Sequence, residues 1–181
     1  MLLDTPICDF GWKAPDFTLP DPDGNSFNMK DHLGKKGLLI AFICNHCPYV
    51  QAIGERLAED TDTLMAEGIN VLAVMSNDFT YVESDSPPNM KHYAERYGWN
   101  FPYLVDETQE VGQSYNAVCT PDFFGFNKDG ELQYRGRLDS AGMRDSSNRE
   151  PELLNAMRQI AETGKGPEKQ APSMGCSIKW R

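Results

Sequence analysis

The chemistry of this chain gathers in one stretch, Cys44-Asn45-His46-Cys47-Pro48. Two thiols separated by two residues can pass an electron pair: reduced they are a dithiol, oxidised they close an intramolecular disulfide. An apolar run, Gly37 to Ile43, precedes the stretch, and helical periodicity follows it. The pair therefore belongs at a strand-to-helix junction, the setting in which C-x-x-C reads as redox-active. The unpaired N–H groups and positive dipole end of a helix's first turn favour a thiolate, expected here at Cys44. His46, between the two cysteines in sequence, adds positive charge when protonated. Pro48 suits the first helical position, where its missing N–H is not needed. A zinc site needs four ligands. There is no second C-x-x-C, so zinc would have to recruit His46, Cys119 or Cys176, and no metal site is expected.

The surrounding elements follow from pattern. Residues 1–36 are rich in Pro, Gly and Asp, and Asp23-Gly24 marks a hairpin between Ala14–Pro20 and Ser26–Met29. Gly37–Ile43 and Ile69–Met75 read as strands buried on both faces. Val50, Ile53, Leu57 and Leu64 mark the helix after Pro48, ending at Gly68. Met90, Tyr93, Ala94 and Tyr97 mark another, stopped by Gly98. The polar segment Asn77–Pro88 between strand and helix is long for such a connection. A short helix is expected within Asp106–Tyr115. Lys128-Asp129-Gly130 turns a hairpin between Asp122–Asn127 and Glu131–Arg137, and Leu153, Leu154, Met157, Ile160 and Ala161 mark a last helix. Arg135 and Arg137 alternate along their strand, with solvated side chains expected for both. The order implies an α/β fold: a central mixed sheet flanked by helices on both faces, with an N-terminal β-hairpin. One domain is expected over 1–181, with 1–36 as an N-terminal extension and 164–181 as a C-terminal tail.

The chain has 181 residues, 17 basic and 27 acidic, for a net charge of −10. That balance argues against a nucleic-acid binder, which needs a basic face, and against an anionic membrane surface. No apolar run approaches the ~18 residues of a spanning helix. The first ten residues carry Asp4 and no basic residue, unlike a secretion signal. Five cysteines, Cys8, Cys44, Cys47, Cys119 and Cys176, are an odd number and too few for a disulfide scaffold. A cytoplasmic location is expected.

Around the cysteine pair the chain resembles the redoxin (AhpC/TSA-like) branch of thioredoxin-fold proteins, and within it a small bacterial subgroup with a Cys-Asn-His-Cys-Pro-Tyr-Val stretch. Here that stretch is Cys44–Val50. Ala14-Pro-Asp-Phe-Thr-Leu-Pro20, Asp21-Pro-Asp-Gly24, Phe101-Pro-Tyr-Leu-Val-Asp106, Lys128-Asp-Gly130 and the ending Gly175-Cys-Ser-Ile-Lys-Trp180 are similar too. The resemblance implies a thioredoxin-like fold and disulfide exchange without a bound cofactor. Cys44 would be the attacking thiol and Cys47 the resolving one. Thr120-Pro121 would form a cis peptide facing the pair, leaving the residue-120 backbone free to pair with a bound partner. The family usually places a buried acid near the second thiol. The first strand holds none, and Asp78, at the end of the second strand, is the nearest candidate, with a solvated loop carboxylate as its simpler role. Cys119, beside Thr120, and Cys176, in the tail, are alternatives for a third redox thiol; each is equally explained as packing. Cys8, His32 and His92 show no partner pattern.

The first functional expectation is a thiol-disulfide oxidoreductase acting on protein or small-molecule disulfides and drawing on a separate electron donor. The second is a peroxiredoxin-like peroxidase. That family's Pro-x-x-x-Thr-x-x-Cys, aligned on Cys47, meets Ile40 and Cys44 in place of its proline and threonine. Metal handling ranks third: copper delivery on related folds expects C-x-x-x-C, one residue longer than here. A non-enzymatic scaffold fits poorly with an intact C-x-x-C.

Overall fold

The computed structural model describes residues 1–181. Its centre is a five-stranded sheet built from β4 (Leu38–Phe42), β5 (Asn70–Met75), β6 (Tyr103–Val105), β8 (Asp122–Phe126) and β9 (Leu132–Gly136), in the order β6-β5-β4-β8-β9. β4, β5 and β6 run parallel, while β8 and β9 join antiparallel. All five residues of β4 are buried, because both faces of the sheet are covered; hence the unbroken apolar run.

The two faces are covered differently. Leu39, Ala41, Ile43, Val71, Ala73 and Phe123 pack with Val50, Ile53 and Leu57 of α2 (Pro48–Ala66), Met90 of α3 (Pro87–Tyr97), and Leu153, Met157 and Ile160 of α5 (Glu152–Thr163). Leu38, Ile40, Phe42, Leu72 and Val74 on the other face meet Val111 of α4 (Glu110–Ser114), Phe17 from the N-terminal extension and Ile178 from the tail. The expected helices on both faces are present, although on the second face the helix is short and irregular chain does much of the covering.

The expected hairpin is β2 (Thr18–Pro20) with β3 (Ser26–Asn28), turned at Asp21–Asn25 and followed by the single turn α1 (Met29–His32). A further sheet has no counterpart in the sequence reading: β1 (Leu2–Asp4), β10 (Met174–Ser177) and β7 (Cys119–Thr120), in the order β1-β10-β7. The tail is therefore a paired strand, with Leu2 opposite Cys176 and Cys176 opposite Thr120. Such strands of two to four residues are too short to show a periodicity. At Gly175 any side chain would collide with the Thr120 carbonyl, so glycine permits the close approach of β10 to β7. Arg135 corrects another expectation. It is buried, with Nη2 2.9 Å from Asp122 Oδ2 and its guanidinium 4.4 Å from the Phe124 ring centre. Arg137 pairs with Glu152 at 2.6 Å.

Candidate active site

β4 runs straight into the cysteine stretch, and α2 carries it away. α2 begins at Pro48, with Cys47 as its N-cap in extended geometry and no side-chain cap. The 19-residue helix thus directs its N-terminal field at Cys47 rather than at Cys44. Both residues are 0% exposed.

Thr120 sits opposite both sulfurs. Cys47 Sγ is 3.2 Å from the Thr120 carbonyl oxygen, and Cys44 Sγ is 3.3 Å from the Thr120 hydroxyl. The Thr120–Pro121 peptide is cis. The Thr120 backbone is not free, however: Cys176 of β10 lies across from it in the sheet. The strand fills the position expected to receive a partner.

A carboxylate holds the cysteine loop, and it is Asp85 rather than Asp78. Asp85 is fully buried. Its Oδ1 accepts from the Asn45 and His46 backbone N–H groups at 2.7 and 3.2 Å. Its Oδ2 accepts from His46 Nδ1 at 2.5 Å and from the Asn77 amide at 3.0 Å. Asn77 in turn accepts from the Lys179 backbone at 2.7 Å, tying the tail to the same carboxylate. The Tyr103 hydroxyl donates to the Asn45 side chain at 3.0 Å, and the Asn45 amide donates to Ser84 O at 2.9 Å. Asp78 instead accepts from Thr80 at 2.6 Å and from Arg181 at 3.3 Å, away from the sulfurs. The signal for Asp85 was the unusual length of Asn77–Pro88. Periodicity could not show that a 3₁₀ turn at Glu83–Asp85 points this acid inward.

The protonation states follow from these surroundings. Burial pushes the Cys44 thiol well up, and the neighbouring Cys47 and Asp85 reinforce that. Cys47 moves the other way: hydrogen bonds from Cys44, then from Cys176 and Thr120, outweigh its burial. As a thiol, Cys47 donates to Thr120 O. As a thiolate it has several donors and the helix N-terminus, and these outnumber that single acceptor. The helix N-terminus and these donors favour a thiolate on Cys47, whereas burial favours the proton on Cys44; the resemblance implied the attacking role for Cys44. The hydrogen bond to Asp85 raises His46 above its ordinary 6.5. Burial would raise Asp85, but the bond and charge of His46 prevail and hold it below 3.8.

Cys44, His46 and Asp85 present ligand atoms within 4.8 Å of one another. The carboxylate oxygens already accept from four N–H donors, so Asp85 is engaged in holding the loop. Cys119 lies on β7 with its thiol directed to Pro121 O at 3.7 Å, raised to about 12 by burial and Asp122. Cys8 packs against the apolar cluster of Phe17, Val111 and Ile178 on the other face of the sheet. No helix is long and apolar enough to cross a membrane.

The AhpC/TSA family pattern matches residues 10–135, and the chain belongs to that family. Peroxiredoxin Bcp of Escherichia coli K12 is 28% identical over 157 residues, covering 82% of this chain and 94% of that protein. The thiol-disulfide oxidoreductase ResA of Geobacillus kaustophilus is 28% identical over 123 residues, covering 68% of this chain and 66% of that protein. Among solved structures, an uncharacterised conserved protein from Geobacillus kaustophilus superposes with a TM-score of 0.93 at 40% identity, covering 100% of this chain and 97% of that one. A putative thiol:disulfide interchange protein DsbE from Chlorobium tepidum, at 20% identity and a TM-score of 0.66 over 84% of this chain and 97% of that one, shares the fold. The protein is a thioredoxin-fold thiol oxidoreductase of the redoxin branch.

Proposed function

We propose that the protein is a thiol-disulfide oxidoreductase whose Cys44/Cys47 pair alternates between dithiol and disulfide. The observation that carries this reading is the placement of both sulfurs against Thr120, with Cys47 as the N-cap of α2. Cys47 attacks a partner's disulfide and releases one partner thiolate, leaving a Cys47–partner disulfide. Cys44 gives up its proton and attacks Cys47, releasing the second partner thiolate. The partner gains two electrons, and the pair closes as Cys44–Cys47. His46 stands beside this step: its Nδ1 is 3.7 Å from Cys44 Sγ. Its positive charge, sustained by Asp85, favours the Cys44 thiolate as it forms. Both sulfurs lie beneath the surface, so a partner meets Cys47 only when the cover parts.

A second reading, thiol peroxidase, is favoured by one observation: the N-cap of α2 is Cys47, the position that aligns with the reactive cysteine of peroxiredoxins. Against it, Arg135 is committed to Asp122 and Arg137 to Glu152, and Cys44 stands where that family has threonine. Stopped-flow oxidation of the reduced protein by hydrogen peroxide, run beside insulin reduction, separates the two. Disulfide exchange predicts insulin reduction together with a peroxide rate near that of a free thiol. Fast peroxide consumption without insulin reduction would contradict it.

A further inference from the structure

A third cysteine lies beside the pair at the start of α2. Cys176 on β10 lies directly across from Thr120, whose carbonyl oxygen is 3.2 Å from Cys47 Sγ. Its side chain packs against the apolar cluster that contains Cys44 and Cys47, on the face of the β10–β7 pair where the Thr120 hydroxyl meets Cys44 Sγ at 3.3 Å. Cys44 and Cys47 are 0% exposed, whereas Cys176 is only partly buried. β10 also occupies the Thr120 backbone, so a molecule approaching from solvent meets Cys176 before either member of the pair.

We propose that Cys176 is a third redox thiol, which takes the disulfide from Cys44 and presents it, as a Cys47–Cys176 bond, to an external dithiol donor. This rests on the Cys44/Cys47 exchange reading and supplies its return path. In the oxidised protein Cys176 loses its proton and attacks Cys47 Sγ. The Cys47–Cys176 bond forms, the Cys44–Cys47 bond breaks, and Cys44 leaves as a thiolate and takes up a proton; no net oxidation occurs. A donor thiolate then attacks the accessible Cys176 Sγ, and Cys47 leaves as a thiolate. The donor's second thiol resolves the donor–Cys176 disulfide, releasing oxidised donor and the Cys176 thiol. Two electrons have passed from donor to protein. Cys47 suits the leaving role because a low-pKa thiolate departs faster, and the surroundings that stabilise its thiolate are already in place. Burial, then Cys47, raise the Cys176 thiol in the reduced protein, so there it does not compete with Cys47 for a partner's disulfide. The contribution from Cys47 falls away once Cys47 is in a disulfide, when Cys176 must act as nucleophile.

The test uses the full chain and two variants. In Cys44→Ser, oxidised with diamide, non-reducing peptide mass mapping should find a Cys47–Cys176 disulfide. In Cys176→Ser, the Cys44–Cys47 disulfide should still form, but dithiothreitol should reduce it at least about tenfold more slowly than in the wild type. A missing bridge in Cys44→Ser, or an unchanged reduction rate in Cys176→Ser, overturns the role of Cys176. Failure of the Cys44–Cys47 disulfide to form in both wild type and Cys176→Ser would instead overturn the exchange reading on which it rests.

Discussion

Two regions of this molecule are built from the same ingredients. The loop before α2 holds buried thiols at Cys44 and Cys47, a buried carboxylate at Asp85 and a cation at His46. The strands β7 to β9, on the far side of Pro121, hold a buried thiol at Cys119, a buried carboxylate at Asp122 and a cation at Arg135. Their chemistry diverges. Cys47 caps a helix and receives hydrogen bonds that favour its thiolate. Cys119 faces a carbonyl oxygen, so burial keeps its proton on. The cation of the first region is an imidazolium that can lose its proton, whereas that of the second is a guanidinium. Composition does not distinguish a reactive cysteine from an inert one here; the helix terminus and the number of donors do.

The sharpest way to break the comparison is to exchange serine for each thiol. Cys47→Ser should lower insulin reduction at least about a hundredfold, while Cys119→Ser should stay within about twofold of wild type. Comparable losses in both would show that the two regions do not differ as argued. The carboxylates come next. Arg135→Met leaves Asp122 buried without its cation and should cost about 3–5 kcal/mol in urea unfolding; a shift under about 1 kcal/mol would mean that the pair is replaceable.

Smaller effects separate the regions by pH. His46 has a folded pKa above its unfolded 6.5. Its contribution to stability is complete below 6.5 and is lost as pH rises through the folded value. Asp85 lies below 3.8, so its contribution is present above 3.8 and is lost as pH falls through its folded value. The Cys47 thiol titrates with the opposite sign to His46, so the measurement belongs in a Cys47→Ser background. There, urea stability should fall as pH rises past 6.5, and Asp85→Asn should flatten that slope. A slope unchanged by Asp85→Asn would detach His46 from the carboxylate. Smallest of all, Asp78→Ala should leave insulin reduction within about twofold of wild type, since the Asp78 carboxylate accepts hydrogen bonds from Thr80 and Arg181.

What could be read in the sequence were the features with a local signature. The buried strands β4 and β5, the helix beginning at Pro48 and the hairpin at Lys128–Gly130 follow from apolar runs, periodicity and turn residues. The cysteine pair and Thr120–Pro121 could be placed together through the family resemblance. What stayed hidden depends on long-range contact. Asp85 reaches His46 across 39 positions, and only the length of its loop hinted at a role. β10 pairs with β1 and β7 through three- and two-residue partners. Its approach depends on Gly175, which the family-like ending included without showing the strand it would meet. Expecting the helix's first turn at Cys44 put the thiolate there, but the N-cap is Cys47, which is why the proposed exchange starts from Cys47.

The central claim is that the thiolate of the reduced pair resides on Cys47, and its ultraviolet absorbance reports it without requiring access to a buried sulfur. Titrated from acid, the reduced wild-type protein should show a thiolate step well below the ordinary 9.0. The step should persist in Cys44→Ser, whose hydroxyl still donates to Cys47, and should vanish in Cys47→Ser. A step that survives in Cys47→Ser and disappears in Cys44→Ser would contradict the assignment and return the nucleophile to Cys44.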